Sequence, residues 1–208
     1  FYDTTAGEVL LGGENVKKLA KNDLDDAIGY VPQKGVLFSG TVESNIKYGA
    51  NSRIKISDAD MKRAAEIAGA DFINDLDKKF QSHIAQGGDN VSGGQKQRLS
   101  IARAVAKNPD ILIFDDSFSA LDYATDRQVR ANLAKFAKDK TILIVAQRIS
   151  TIKDAEQILV LDNGAIVGRG THYELLNDNE IYREIATSQF SESEMATEMK
   201  LAQKSRIA

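Results

Sequence analysis

Two adjacent carboxylates, Asp115 and Asp116, directly follow an apolar stretch at residues 111–114 that predicts a buried strand. Ligands of open α/β sheets bind outside the carboxyl ends of the strands. At such an end, one aspartate can hold Mg²⁺ through water, and the second can face a water that attacks a phosphate. A solvated turn explains the same pair equally well, because aspartate is common in turns.

A glycine-rich helix start is the second candidate. Ser92 is a good N-cap, and Gly93, Gly94 and Gln95 follow it at the start of an amphipathic helix. Glycines in a first turn cost helix stability, but they let bare N–H groups and the helix dipole approach an anion closely. A flexible loop with a capping serine is the alternative, and Ser-Gly-Gly alone is weak evidence for phosphate binding.

Two amides complete the candidate set. Gln33 follows a short strand predicted at residues 27–31, and Gln147 follows a second apolar strand at residues 141–146. Each is most simply a surface amide when taken alone. If these strands end at the same edge of one sheet, both amides converge with the two aspartates.

The elements that must position these groups indicate an α/β fold. Two apolar strands separated by a helix at residues 123–138 imply a right-handed crossover and a parallel sheet. Asn163-Gly164 predicts a β-hairpin, and the polar tail after Thr187 predicts a frayed helix or disorder. The other expected elements are a strand at 8–11, helices after Thr41, from Ser57 and at 71–76, a loop at 81–91, and a helix at 95–106.

Composition excludes several classes of protein. The 208 residues carry 27 Lys+Arg against 30 Asp+Glu, a net charge of −3, so a global basic footprint for nucleic acid is absent. The lack of cysteine excludes disulfides, thiol nucleophiles and thiolate metal sites. The apolar runs fall far short of the roughly 20 residues of a membrane helix. The chain begins with Phe1 rather than Met, and we interpret it as an intracellular piece of a larger protein.

One expected phosphate motif has no match in the chain. The pattern G-x-x-x-x-G-K-[ST] cradles phosphates with its backbone N–H groups. Gly7 and Gly12 have the right separation, but Gly13 and Glu14 stand where the lysine and the serine or threonine belong.

Together these motifs resemble the nucleotide-binding domain of an ABC transporter of the exporter type. The resemblance covers nearly the whole chain. Seven stretches carry it: YVPQ at 30–33 (Q-loop), GVLFSGTVESNIKYG at 35–49, VSGGQKQRLSIARA at 91–104 (signature), ILIFDD at 111–116 (Walker B), SALD at 119–122 (D-loop), VAQRIST at 145–151 (switch-histidine motif) and LDNGAIVGRGTHYELL at 161–176.

The resemblance implies a fold and an extent. We expect a RecA-like P-loop NTPase core, in a partial nucleotide-binding domain over residues 1–208. Within it we place an α-helical subdomain at about 52–106 and a C-terminal tail at 188–208. The family's Walker A loop and its stacking aromatic would precede Phe1.

The resemblance also implies ATP and Mg²⁺ as cofactors, with roles for individual residues. Asp116 and Gln147 would be catalytic, and Gln33 and Asp115 would hold Mg²⁺. The residues toward the nucleotide would be Gln33, Ser92, Gly93, Gly94, Gln95 and Asp122.

Two of these positions depart from the family pattern. Asp116 stands where the family has the catalytic glutamate, and its carboxylate lies about 1.5 Å further back because it is one methylene shorter. A positioned base is worth about 10²–10⁴ in rate. Gln147 replaces the switch histidine, and an amide can donate to a phosphate but cannot become a cation.

These departures predict weak hydrolysis at the site that this chain's own catalytic residues form. The signature residues Ser92–Gln95, in contrast, are close to consensus and would serve the ATP bound by a partner. That pattern resembles the degenerate half of heterodimeric bacterial multidrug-type exporters. The partners would be a second nucleotide-binding domain and transmembrane domains, at the cytoplasmic face of the membrane, with no nucleic acid.

Two alternatives stay open. Without a Walker A loop, this polypeptide alone would bind ATP weakly or not at all and act only as a signature-donating dimerisation module. A non-transport ABC ATPase of DNA maintenance is the other, although the short interval between Gln33 and Ser92 leaves no room for its long coiled coil.

Overall fold

The computed structural model describes residues 3–51 and 53–205. The chain divides into two compact units, Phe1–Val145 and Ala146–Ala208, and each unit has its own hydrophobic core. Among the described residues, none of the helices has both the length and the apolar character that crossing a bilayer requires.

Nine strands and nine α-helices build the described part of the chain. The strands are β1 (Leu10–Leu11), β2 (Glu14–Asn15), β3 (Ile28–Val31), β4 (Gly40–Thr41), β5 (His83–Ile84), β6 (Ile111–Asp115), β7 (Thr141–Val145), β8 (Ile158–Asp162) and β9 (Ala165–Gly170). The helices are α1 (Lys21–Ala27), α2 (Val42–Ile46), α3 (Asp58–Ile67), α4 (Gly93–Ala106), α5 (Tyr123–Phe136), α6 (Ile149–Ile152), α7 (His172–Asp178), α8 (Glu180–Gln189) and α9 (Glu192–Ser205).

The first unit is organised around a parallel sheet of strand order β3–β6–β7, and the parallel pairing of β6 with β7 is the one that the sequence predicts. Val31 pairs with Phe114, and both are buried in the core. Leu143 and Val145 of β7 are each 51% exposed, although their apolar sequence favours a strand covered on both faces. The difference arises because alternate residues of β7 lie on a face that the described part of the chain leaves open.

Helix α4 packs against β3 of this sheet. It begins with the capping box of Ser92 and Gln95, in which each side chain bonds to the backbone of the other residue. It packs so closely on the segment after β3 that a Cβ at Gly35 would come within 2.9 Å of the Lys96 carbonyl carbon and oxygen. Glycine is therefore needed at this position for the two backbones to approach.

A half-buried arginine of α4 holds the segment around α2. The Arg103 guanidinium donates to the carbonyls of Val36 at 2.7 Å and Asn45 at 2.8 Å, and to the Asn45 side-chain oxygen. It also lies 5.2 Å from the centre of the Phe38 ring and 5.5 Å from that of Tyr48, and the two rings stack 4.2 Å apart. Burial lowers the pKa of Arg103 to about 10, which still leaves it a cation at neutral pH.

Several predicted elements agree with the structure in type but not in extent. The strand expected at 8–11 is reduced to β1, which forms a hairpin with β2. The region 81–91, predicted as a loop, contains β5, which pairs with β4. Segment 71–76 forms a 3₁₀ helix at Asp71–Asp75. Two-residue pairings leave no periodicity in the sequence, so the pattern did not indicate them.

The second unit is a hairpin followed by helices. Strands β8 and β9 meet at a two-residue turn in which Asn163 has φ 46° and Gly164 has φ 80°, as the Asn-Gly pair predicts. The prediction of fraying after Thr187 differs from the structure, which forms α9. Met195, Met199 and Ala202 of α9 recur at helical spacing and face the second core.

A buried histidine joins α9 to the rest of the second unit. His172 Nδ1 lies 2.8 Å from the Tyr182 hydroxyl, and its Nε2 lies 3.5 Å from a carboxylate oxygen of Glu198. Lys153 pairs with the other oxygen of Glu198 at 3.3 Å. Burial lowers the pKa of His172 below its usual value and raises the pKa of Tyr182 to about 12.

The second unit is therefore expected to lose stability in mild acid. Because the pKa of folded His172 lies below the value of 6.5 in the unfolded chain, the unfolded chain binds more protons once the pH drops below that value. The contribution of neutral His172 to the free energy of unfolding is complete above about pH 6.5. It is lost progressively as the pH is lowered from that value toward the pKa of the folded state. Urea unfolding followed by circular dichroism from pH 8 to pH 5 measures this slope.

The variant His172→Gln removes the titrating group and is expected to flatten the slope between pH 6.5 and pH 5. The control His83→Gln makes the same change at an exposed histidine and keeps the slope. Identical slopes in wild type and His172→Gln would contradict the assignment.

Candidate functional site

The two predicted aspartates end the central strand and begin a sharp turn. Asp115 is the last residue of β6. Asp116 has φ 45°, a region that few residues other than glycine adopt, though aspartate is among those enriched there. Its N–H donates to the Val145 carbonyl at 2.9 Å, which ties the turn to the end of β7.

Four consecutive residues at the end of β3 bond across to this turn and to α4. We call this row of contacts the 30–33 seam. Its bonds run from Tyr30 Oη to Asp115 Oδ2 (3.0 Å), from Ser117 Oγ to the Val31 carbonyl (2.9 Å), from Gln97 Nε2 to the Pro32 carbonyl (3.0 Å), and from Gln33 Nε2 to Asp116 Oδ2 (3.2 Å).

The two inner bonds of the seam are structural. Ser117 and Gln97 are 0% and 1% exposed, and each donates to a main-chain carbonyl. A buried carbonyl left without a donor costs about 1–3 kcal/mol, so these bonds fix the backbone on which Gln33 stands.

The two outer bonds of the seam lie at the open edge and join the candidate chemical groups. Gln33 contacts Asp116 directly, so the structure brings these predicted residues together beside Asp115. An amide that donates through Nε2 still carries an oxygen for a cation. Burial, followed by the bond to Asp115, raises the pKa of Tyr30, which keeps its hydroxyl protonated at neutral pH.

The donor set fits Mg²⁺ that arrives with phosphates. Mg²⁺ in such sites takes one or two protein carboxylates and completes its shell with phosphate and water oxygens. Asp115, Asp116 and Gln33 offer oxygens only, and the described residues contain no cluster of three or more His, Asp or Glu side chains that would hold a metal alone.

The glycine-rich helix start is accessible. Ser92 and Gly93 are exposed, and a Cβ placed at Gly93 would have nothing within 4 Å. A Cβ at Gly94 would lie 3.5 Å from the Ala120 carbonyl, so the D-loop-like segment lies against this tip. The bare N-terminus of this 14-residue helix is suited to an anion, while the Gln95 side-chain oxygen accepts from Ser92 N–H within the capping box.

Two other predicted residues have visible structural partners. Asp122 is the N-cap of α5, accepting from Thr125 N–H at 3.0 Å and from the Thr125 hydroxyl at 2.7 Å, and these bonds lower its pKa. In the second unit, Gln147 is exposed, and its carbonyl accepts from Gln189 Nε2 at 2.8 Å. The nucleotide role of Asp122 and the catalytic role of Gln147 stay predictions.

Sequence reasoning missed the residues that hold the seam together. Gln97, Ser117 and Tyr30 were not candidates. A signal existed for Gln97, because it lies four and eight residues before Ile101 and Val105 and is a polar residue on an apolar stripe of α4. Nothing in the sequence pattern pairs Ser117 with Val31.

Comparison with known proteins places this arrangement in a family. The ABC transporter family matches residues 1–119 of the chain. An uncharacterized ABC transporter ATP-binding protein of Mycobacterium tuberculosis is 49% identical over 188 residues, which is 90% of this chain and 32% of that protein. The ATP-dependent lipid A-core flippase of Photobacterium profundum is 42% identical over 193 residues, 92% of this chain and 33% of that protein.

Two further matches extend the comparison. Multidrug resistance protein 4 of Entamoeba histolytica is 42% identical over 91% of this chain and 15% of its own length. A bacterial Atm1-family ABC exporter solved with ATP bound superposes with a TM-score of 0.87 at 38% identity, covering 92% of this chain and 33% of that one. This supports the predicted P-loop NTPase fold. The chain spans about a third of the length of the first relatives it matches.

Removing the buried amide should loosen the seam. Gln97→Leu keeps the volume of the side chain but leaves the Pro32 carbonyl without its donor, so we expect a loss of about 1–3 kcal/mol in the free energy of unfolding. Urea titration measures this loss. Gln128→Leu, at an exposed position of α5, is the matched control and should change stability by less than about 0.5 kcal/mol. Equal stability of the two variants would show that the bond to Pro32 is dispensable.

Proposed function

The chain belongs to the ABC transporter family, and from that premise we propose that it is the nucleotide-binding part of an exporter that couples ATP binding and hydrolysis to efflux. The observation that carries this proposal is the 30–33 seam, which sets Gln33 against Asp116 beside Asp115 at the carboxyl end of a parallel sheet. Multidrug and lipid A-core flippase names among the relatives agree with an export role.

In this proposal the oxygen donors hold Mg²⁺ and the second aspartate faces water. Asp115 and Gln33 would bind the cation, which when present neutralises phosphate charge and orients the nucleotide. Asp116 would act as the base toward the attacking water, with Gln33 bonded to one of its oxygens. Gly93 and Gly94, between the capping residues Ser92 and Gln95, would present their N–H groups to the ATP of a second nucleotide-binding domain.

We also propose that the two sites of the assembled exporter are unequal. Asp116 is one methylene shorter than the glutamate of the family pattern, and Gln147 cannot become a cation. Both changes weaken catalysis at the site built on this chain, whereas the helix tip at residues 92–95 keeps its exposed glycine and its capping box. A heterodimer in which a partner supplies the stronger catalytic residues fits this division.

The exposed aromatic pair supports a contact with transmembrane domains. Phe38 and Tyr48 stack on each other at the surface of the first unit, and Val36 beside them is also exposed. Arg103 holds this surface against the signature helix. We place it toward the membrane part of the exporter, at the cytoplasmic face. We also keep the predicted division of the chain, with a helical subdomain at about 52–106 and a C-terminal tail at 188–208.

Replacing Asp116 and Gln147 by the residues of the family pattern is expected to raise the rate of ATP hydrolysis. Asp116→Glu combined with Gln147→His returns the longer base and the titratable ring, so ATP turnover at this chain's site should rise at least tenfold, within the roughly 10²–10⁴ that a positioned base contributes. Phosphate release by the purified heterodimer, with the partner's own catalytic residue disabled, measures this site alone.

The matched control for this pair is Asp110→Glu with Gln128→His, which makes the same changes at exposed positions. It should leave turnover as in wild type. If the restored pair hydrolyses no faster than this control, the geometric explanation of the weak site is wrong.

Assembly gives a separate test of the unequal sites. Purified alone, the subunit that carries this chain should hydrolyse ATP at least tenfold more slowly than the same amount of it with its partner, because a homodimer would contain two weak sites. Turnover at saturating ATP in detergent or nanodiscs measures both states. Full activity of the subunit alone would reject the heterodimer while leaving family membership unaffected.

A further inference from the structure

The ring of Tyr30 bridges two neighbouring strands on the open face of the central sheet. Tyr30 pairs with Ile113 in the parallel register, and Asp115 lies two residues further along β6 on the same face. From this position the Tyr30 hydroxyl donates to Asp115 Oδ2 at 3.0 Å.

This bond differs from the buried bonds of the seam. Ser117 and Gln97 are nearly inaccessible and hold main-chain carbonyls, whereas Tyr30 is 41% exposed and Asp115 is half-buried. A hydrogen bond at such an open site contributes little to folding, since water can replace either partner. Its effect is local, because it immobilises one oxygen of a side chain that has only two rotatable bonds.

The hydroxyl is suited to this task over the whole neutral range. Burial, followed by the bond to Asp115 and the charge of that carboxylate, raises the pKa of Tyr30 above its usual value. The phenol donates its hydrogen to the carboxylate in this geometry. With Oδ2 fixed by the phenol, the second oxygen of Asp115 has a defined direction.

We propose that Tyr30 is a positioning residue for Asp115, and that it raises the affinity of the site for a divalent cation bound with ATP. The inference rests on the proposed function, since Asp115 is the magnesium carboxylate there. Partners that orient a metal-binding side chain commonly affect affinity for the metal by 10- to 100-fold. For a partly exposed carboxylate we expect a smaller effect, about 3- to 10-fold.

The test is Tyr30→Phe in the intact protein, which deletes only the hydroxyl. Mn²⁺ replaces Mg²⁺ as the probe, and its binding is followed by electron paramagnetic resonance in the presence of a non-hydrolysable ATP analogue. We expect the Kd for Mn²⁺ to rise about 3- to 10-fold, while the affinity for the nucleotide without metal and the thermal midpoint stay as in wild type. ATP turnover should need more Mg²⁺ but reach the same kcat.

Two comparisons make the test specific. Tyr173→Phe makes the same chemical change on α7 in the second unit and should leave Mn²⁺ binding unchanged. In an Asp115→Asn background, Tyr30→Phe should have no further effect on Mn²⁺ binding, because the partner through which it acts is gone.

Each outcome decides the matter. A weaker Kd for Mn²⁺ in Tyr30→Phe, absent in Tyr173→Phe and in the Asp115→Asn background, supports the positioning role. An unchanged or tighter Kd in a folded Tyr30→Phe protein overturns it and leaves the proposed function intact. If wild type shows no metal-dependent binding of the nucleotide, the proposed function fails and this inference fails with it.

Discussion

Two main-chain carbonyls, those of buried Val31 and half-buried Pro32, need donors, and the rest of the candidate site depends on how this need is met. The first unit supplies a hydroxyl from Ser117 and an amide from Gln97. Leaving either carbonyl unpaired inside a protein costs more than a hydrogen bond at the surface gains. The backbone that carries Gln33 is therefore held from below by the turn after β6 and by α4, and the open side is left for chemistry.

This division explains why the exposed contacts of the seam can serve a ligand. Gln33 and Tyr30 bond to the two aspartates at the edge of the sheet, and both side chains are exposed there. Asp116 itself adopts an uncommon left-handed backbone conformation, anchored by its bond to the Val145 carbonyl. Uncommon conformations of this kind persist where the surroundings determine them, and they gather at functional sites.

Much of the fold follows from local sequence signals. The parallel strands, the helix after Ser92 and the Asn163-Gly164 hairpin are all indicated by periodicity, caps or turn residues, and all are present. Local signals do not indicate what depends on distant contacts. The helix α9 forms because its apolar residues find the second core, although its composition is polar. The partners Ser117 and Gln97 are missed for the same reason, since their acceptors lie 86 and 65 residues away along the chain.

Three features of the first unit lie on the single helix α4. The bare glycines lie at its tip, Gln97 reaches Pro32 within the second turn, and Arg103 holds the aromatic pair near its other end. At 1.5 Å per residue, about 16 Å separate Ser92 from Arg103, with unbroken helical hydrogen bonding between them. The helix has no break between its glycine tip and Arg103 at which a displacement of the tip could be absorbed. A displacement of the tip would therefore move Gln97, which bonds to Pro32, together with Arg103, which contacts the aromatic rings.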